Sequence, residues 1–353
     1  MDIIKILVLN PGSTSTKIGI FNNDEPEYLE TIKHTAEELK NSIWEQFDFR
    51  YNSIKNNLSK LNIENQKISA VVSLGGLFRS VEGGTYEVNE KMLEDARANL
   101  QGEHASNLGC ALAEKLAKEL NSRAFVVDPV SVDEFEPLAR YSGHPKIERR
   151  SLSHAISLHE AARNAAQKLS LDYLNSNFVI AHMGGGISVA PIRNGKIIDV
   201  NDASSDGPFS PERTGGLPLQ PFITLAFSGE YTEQQLRKFV MGNGGLIAYL
   251  GTNSAEEVEK RIKNGDKKAL EVFQAMAYQI AKEIGAMATV LSGQVDAIVL
   301  TGGLAKSELL TSWIKERVSF ISKILIFPGD DEMKALAKGA MRVLHNIEEA
   351  KTY

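Results

Sequence analysis

Ile6-Leu7-Val8-Leu9-Asn10-Pro11-Gly12-Ser13-Thr14-Ser15-Thr16-Lys17-Ile18-Gly19-Ile20-Phe21 opens the chain as an apolar run, a small polar break and a return. The turn Asn22-Asn23-Asp24 closes the return. Strand, polar tip, strand and turn describe a β-hairpin with a long tip. The same pattern recurs from Phe178: Phe178-Val179-Ile180-Ala181, a break at His182-Met183-Gly184-Gly185-Gly186, the return Ile187-Ser188-Val189-Ala190-Pro191-Ile192, and the turn Arg193-Asn194-Gly195. Asn10, Gly12 and Asn22 fall on His182, Gly184 and Asn194 at one constant offset.

Two further pairs follow in the same order. Ala70-Val71-Val72-Ser73-Leu74-Gly75-Gly76 resembles Ala297-Ile298-Val299-Leu300-Thr301-Gly302-Gly303, and Phe125-Val126-Val127-Asp128-Pro129 resembles Leu325-Ile326-Phe327-Pro328-Gly329. Three ordered pairs imply a duplicated α/β unit. The domains expected are 1–155 and 156–353, divided near the turn-rich segment 142–150, with a closing helix at about 332–351 able to pack back on the first domain. Between the strands, Leu108, Leu112, Leu116 and Leu120 form one apolar helical stripe. Leu270, Phe273, Ala277, Ile280, Ile284 and Met287 form a second, and Ile43, Phe47, Ile54 and Leu58 a third. Thr232 with Gln235 and Ser254 with Glu257 have the spacing of capping boxes.

A chain of 353 residues exceeds one typical core. Its net charge of -6 argues against a nucleic-acid or anionic-membrane partner. The single cysteine, Cys110, lies in an apolar stretch and reads as core packing. It permits no disulfide within the chain, which fits the cytoplasm. The start Met1-Asp2-Ile3-Ile4-Lys5 lacks the features of a signal peptide.

The tip at 10–17 offers what a phosphate needs. Gly12 permits close backbone approach, Ser13, Thr14 and Ser15 bring hydroxyls and N–H groups, and Lys17 brings charge. It lacks the ending of a Walker loop. Gly184, Gly185 and Gly186 offer a second close approach, so two tips facing one interdomain cleft would hold a polyphosphate from both sides. Gly302 and Gly303 end a strand, where open α/β sheets bind ligands. The segment 206–218 is too rich in Gly and Pro for a helix or strand and carries Arg213 between acids, a fork donor for a carboxylate or a phosphoryl group. Asp128 closes an apolar strand, where it could orient magnesium through its water shell.

Residues 7–17, 181–188, 301–303 and 206–218 together resemble the acetate and butyrate kinases. Segments 82–88 and 149–154 look like the butyrate branch of that family. The resemblance spans essentially the whole chain. It implies two ribonuclease-H-like domains of the actin-like type, ATP with Mg2+, a short-chain fatty acid as phosphoryl acceptor, and a homo-oligomer. It assigns Asn10, Ser13, Ser15 and Lys17 to phosphate and magnesium, and Arg79 and Arg213 to carboxylate and phosphoryl. Asp128 and Glu332 would help place the metal, His182 would lie near the γ-phosphate, and Gly184 to Gly186 would run along the phosphates. Gly302 and Gly303 would meet adenosine. Two positions depart from the pattern. Arg150 stands where the acetate kinases carry a catalytic histidine, and Leu74 stands where the family often has arginine, with Arg79 five residues on.

A fatty-acid carboxylate, titrating near about 4.3, is ionised at neutral pH and needs no general base. Three rival readings stay open on the sequence: an acid of another length or branching, a sugar kinase of the same superfold, and an actin-like ATPase with no acid substrate. A sugar kinase needs a carboxylate base, and an ATPase would consume ATP without an acid.

Overall fold

The computed structural model describes residues 3–39, 42–63, 66–329 and 331–353. Two compact units result: 1–133 with 331–353, and 134–330. The division therefore falls at 133/134 rather than 155/156, and the last helix belongs to the first unit.

The first unit holds strands β1 (Lys5–Pro11), β2 (Ser15–Asn22), β3 (Glu25–Lys33), β4 (Ala70–Leu74), β5 (Thr85–Glu87) and β6 (Arg123–Val127). The second holds β7 (Tyr141–His144), β8 (Ile147–Glu148), β9 (Asn177–Met183), β10 (Ile187–Arg193), β11 (Lys196–Ile197), β12 (Ala297–Gly302) and β13 (Ile324–Pro328). Strand β14 (Lys351–Thr352) returns to the first unit. The helices are α1 (Phe47–Lys60), α2 (Glu90–Arg97), α3 (Gly109–Glu119), α4 (Ala155–Leu169), α5 (Leu219–Ala226), α6 (Glu233–Val240), α7 (Gly245–Leu250), α8 (Ala255–Lys263), α9 (Lys267–Val290), α10 (Glu308–Val318) and α11 (Glu332–Leu344).

The first sheet runs β14-β5-β6-β4-β1-β2-β3 and the second β11-β10-β9-β12-β13. In the first, the β1–β2 hairpin is antiparallel, and β1, β4 and β6 are parallel. In the second, the β9–β10 hairpin is antiparallel, and β9, β12 and β13 are parallel. Each of the three sequence pairs occupies the same place in both sheets, so the duplication is a duplication of topology. β5 and β14 extend only the first sheet. The segment 142–150 folds largely as the exposed β7–β8 hairpin.

Alternation along β1 sorts its side chains between two covers. Leu7 and Leu9 join a core with Tyr51, Ile54 and Leu58 of α1 and Leu112 and Leu116 of α3. Ile6 and Val8 face the other side, and all four are fully buried. Asn10 shares their parity and meets the first residue of α11. In the second unit Val179, Ala181 and Met183 of β9 pack in the core that takes Phe273, Ala277, Ile280 and Ile284 of α9. Phe178, Ile180 and His182 face the opposite side. Truncating a residue such as Ile280 to alanine should cost about 2–5 kcal/mol.

The box at Thr232 and Gln235 forms completely. At Ser254 only half forms: its side chain accepts from Glu257 N, while Glu257 Oε2 accepts from Thr252 Oγ1 at 2.7 Å. α11 stops at Leu344, short of the expected 351, because Asn346 turns left-handed (φ 56°) and the chain pairs along β5 as β14.

Candidate active site

Parallel strands bring their carboxyl ends to one edge of each sheet, where such folds bind ligands. In the first unit that edge carries Asn10 near the end of β1 and Asp128 just past β6. The Asn10 amide, buried, donates to Glu332 Oε2 at 2.7 Å. Asp128 is buried with φ 39°, and its Oδ1 accepts from Gly84 N at 2.6 Å. Among the described residues no group of three or more His, Cys, Asp or Glu is arranged to hold a metal. Magnesium commonly takes one or two carboxylates and fills its remaining positions with water and substrate phosphate. Asp128 and Glu332 suit that role from the sheet's carboxyl edge.

Lys17 stands opposite Asn10 in the β1–β2 register, so both side chains share one face. Ser13 and Thr14 are exposed at the tip and Ser15 is half-buried. Gly12 N donates to Ser15 O at 2.8 Å. Arg79 is half-exposed and held by Asp95, with its Nε at 2.6 Å from Asp95 Oδ2. Its guanidinium lies 5.5 Å from the centre of the Tyr353 ring, whose hydroxyl donates to the same carboxylate at 3.0 Å.

The second unit gathers several expected residues tightly. His182, at the end of β9, is 2% exposed and lies on the α4 side of the sheet. Its ring stacks on that of His154, the residue preceding α4, with centroids 4.3 Å apart. His154 Nδ1 is 2.9 Å from Ser188 Oγ on β10, across the hairpin from His182. Burial, then the charges of His182 and Arg213, push the His154 imidazole well below its ordinary range, so it is neutral. Arg213 completes the group. Its Nη1 donates to Ala203 O at 2.6 Å, and burial lowers its own titration despite Glu212 and Asp202.

The glycines at 184–186 let these groups converge. Gly184 N bonds Gly186 O at 2.9 Å, and Gly185 O accepts from Ser210 Oγ at 2.5 Å. A Cβ on Gly186 would run into the Arg213 guanidinium. Gly302 adopts φ 87° and makes a reciprocal 3.0 Å pair with Gly329. Gly303 beside it is exposed, with open space where a Cβ would stand. Arg150 lies apart from the His154–His182 pair: it is half-exposed and donates through Nε to Asp202 Oδ2 at 2.9 Å.

An acetokinase family description matches residues 141–352. A protein named "Probable butyrate kinase" from Listeria monocytogenes is 51% identical over 351 residues, 99% of each chain. The chain belongs to the acetokinase family. A family member named "Butyrate kinase 2" from Clostridium acetobutylicum is 49% identical over 352 residues, again 99% of each chain. The acetate kinase structure from Porphyromonas gingivalis superposes with a TM-score of 0.79 over 97% of this chain and 100% of that one. At 19% identity that likeness concerns the fold, which this acetokinase shares.

Two residues of the site escaped the sequence reading. His154 was legible only as a landmark within its segment. Its place beside His182 depends on β9 and β10, which lie beyond α4 in the chain. Arg50 of α1 is fully buried under the tip. Its spacing from Phe47 and Ile54 puts it on the apolar stripe, a signal that could have found it.

Proposed function

We propose that this acetokinase transfers the γ-phosphoryl group of ATP to the carboxylate of a short-chain fatty acid, butanoate foremost, giving an acyl phosphate and ADP. The observation that carries the assignment is the identity near one half, over the full length, to proteins named butyrate kinases. One bond forms between a carboxylate oxygen and the γ-phosphorus. The bond from that phosphorus to the β,γ-bridging oxygen breaks, and its electrons leave with ADP.

The acid arrives ionised, so no residue need remove a proton. The barrier is electrostatic, an anion meeting an anion, and positioned cations and donors lower it. Arg213 is the cation for the transferring group. Burial strengthens its field, and Ala203 O and the Gly186 backbone fix where it lies. Neutral His154 can donate or accept without competing with Arg213 as a charge, and it fixes the plane of His182 near the γ-phosphate. Arg79 orients the acid's carboxylate, and Arg150 supports the Asp202 segment beside Arg213. Ser13, Thr14, Ser15 and Lys17 hold phosphate in the first unit, Gly184 to Gly186 border phosphate in the second, and Gly302 and Gly303 border adenosine.

Magnesium, when bound with ATP, neutralises phosphate oxygens that would repel the acid. Asn10, Asp128 and Glu332 are the residues that would hold it.

No helix among the described residues is long and apolar enough to cross a membrane. Cys110 is buried, and burial pushes its thiol up to about 12, which fits an unreactive core residue. A single cysteine, with no partner for a disulfide within the chain, is in keeping with a cytoplasmic location. None of α5 is buried, and Leu219, Ile223 and the adjacent Phe227 are 72%, 48% and 87% exposed. A continuous apolar face of this kind supports a homo-oligomer.

The test is ADP release with Mg·ATP and straight-chain acids from acetate to pentanoate. Butanoate should give the highest kcat/KM. Equal ADP release with and without any acid would leave an ATPase instead.

A further inference from the structure

Arg50 has no exposed surface and, among the described residues, no carboxylate partner. Its guanidinium donates instead to neutral oxygens. Nη1 reaches Gly12 O at 3.0 Å, Ser15 O at 3.4 Å and Thr16 Oγ1 at 3.0 Å. Nη2 reaches Ser13 O at 3.5 Å and Gln46 Oε1 at 2.9 Å, and Nε reaches Gln46 Oε1 at 3.1 Å. A buried guanidinium without a counter-ion is costly, and here tip carbonyls stand where a carboxylate would ordinarily be.

That arrangement has a geometric consequence. A trans peptide unit is planar, so its C=O and N–H point in opposite directions. Drawing the Gly12 and Ser13 carbonyls onto Arg50 turns the N–H groups of Ser13 and Thr14 away from α1. The Thr14 carbonyl is taken by His34 N at 3.0 Å, and the Ser15 carbonyl by Gly12 N as well as Arg50. All four carbonyls from Gly12 to Ser15 are thus held by the protein, and none is left to repel an approaching anion.

Thr16 locks the arrangement from behind. Arg50 donates to its hydroxyl oxygen, which leaves the hydroxyl proton for His34 Nε2, 2.8 Å away. Burial and the Arg50 charge hold His34 below its ordinary range, so its ring can accept that proton.

We infer that Arg50 is a positioning residue: it shapes residues 12–15 into a donor-only surface for a nucleotide phosphate, and sets a fixed positive charge beneath it, without touching the nucleotide. The inference rests on the assignment of this tip to an ATP phosphate. Lysine could keep the charge but lacks the planar fork that spans several carbonyls.

The test compares binding of ATP and AMP by titration calorimetry to full-length wild type, R50K and Q46L, alongside steady-state kinetics. R50K should lose about ten-fold or more in ATP affinity while AMP affinity stays within about two-fold, because only the phosphate surface is disturbed. Its KM for ATP should rise and its KM for the acid should not. Q46L, which removes an acceptor that orients Arg50, should shift the ATP-to-AMP ratio in the same direction by less. If R50K fails to fold, the ratio in Q46L decides. Variants that keep the wild-type ratio, in a protein whose wild type makes acyl phosphate, would overturn the inference alone. A wild type that binds no ATP would overturn the phosphate assignment beneath it.

Discussion

The imidazole rings of His154 and His182 lie 4.3 Å apart, centroid to centroid, with their planes 26° from parallel. One stands at the entry to α4 and the other at the end of β9, so the pair ties the helix to the hairpin that carries the glycine tip. His182 is buried and His154 half-buried, and Arg213 is the cation whose charge reaches His154.

His154 makes folding pH-dependent in a definite direction. Above its unfolded value of 6.5 the ring is neutral in both states and contributes no proton difference. Below that value the unfolded chain takes up a proton that the folded chain refuses, so stability falls as pH falls. One such proton limits the slope to about 1.4 kcal/mol per pH unit. Urea midpoints at pH 7.5 and 5.5 should fall less in H154N than in wild type. Equal falls would show that His154 titrates normally.

Glu283 acts in the opposite sense. Burial, then Asp206 and Asp199, raise its carboxyl from 4.5 to about 7. Between those values the folded state holds a proton that the unfolded state has released, and this stabilising contribution is lost as pH rises through 7. E283Q should therefore be more stable than wild type at pH 8, by something on the order of 1–3 kcal/mol, with little difference at pH 5. Thermal melts at both values check this.

R213A should lower kcat by about 100-fold or more while leaving the fold intact, the scale seen when one preorganised transition-state donor is removed. G186A should act through the same residue, because the new methyl displaces the guanidinium. Circular dichroism alongside initial rates separates lost catalysis from lost structure. Turnover near wild type in R213A would remove Arg213 from the mechanism.

Asp95 and Tyr353 hold Arg79 from below. D95N weakens that hold without removing the arginine. The KM for the acid should rise several-fold and the KM for ATP should stay unchanged, if Arg79 orients the carboxylate. Steady-state titration of both substrates reads the split.

Placing glutamates at Ile223 and Phe227 should yield monomers, because both lie on the exposed apolar face of and beside α5. Light scattering after size exclusion gives the mass. A wild-type monomer would contradict the homo-oligomer.

What the sequence made legible was punctuation. The glycine-rich tips and strand-end glycines interrupt short apolar runs, and those runs became β1, β4 and β6 and their counterparts β9, β12 and β13. What stayed hidden was anything whose meaning depends on a distant partner. Arg50 shares the apolar stripe of α1, but its role shows only once the tip carbonyls lie on its guanidinium. His154 needed β9 and β10 beside it before its ring had neighbours. Arg150 had the right segment, but it turns to Asp202, while His154 occupies the place beside His182 and Arg213. The early boundary follows from contacts as well: residues 134–155 pack with the second unit, where Arg149 pairs with Asp199 at 2.8 Å.

Hydroxylamine converts an acyl phosphate to a hydroxamate and so separates phosphoryl transfer to a carboxylate from ATP hydrolysis. Purified protein with Mg·ATP, butanoate and hydroxylamine should accumulate butanoyl hydroxamate in step with ADP, and R213A should make little of either. ADP accumulating without hydroxamate would contradict phosphoryl transfer to a carboxylate.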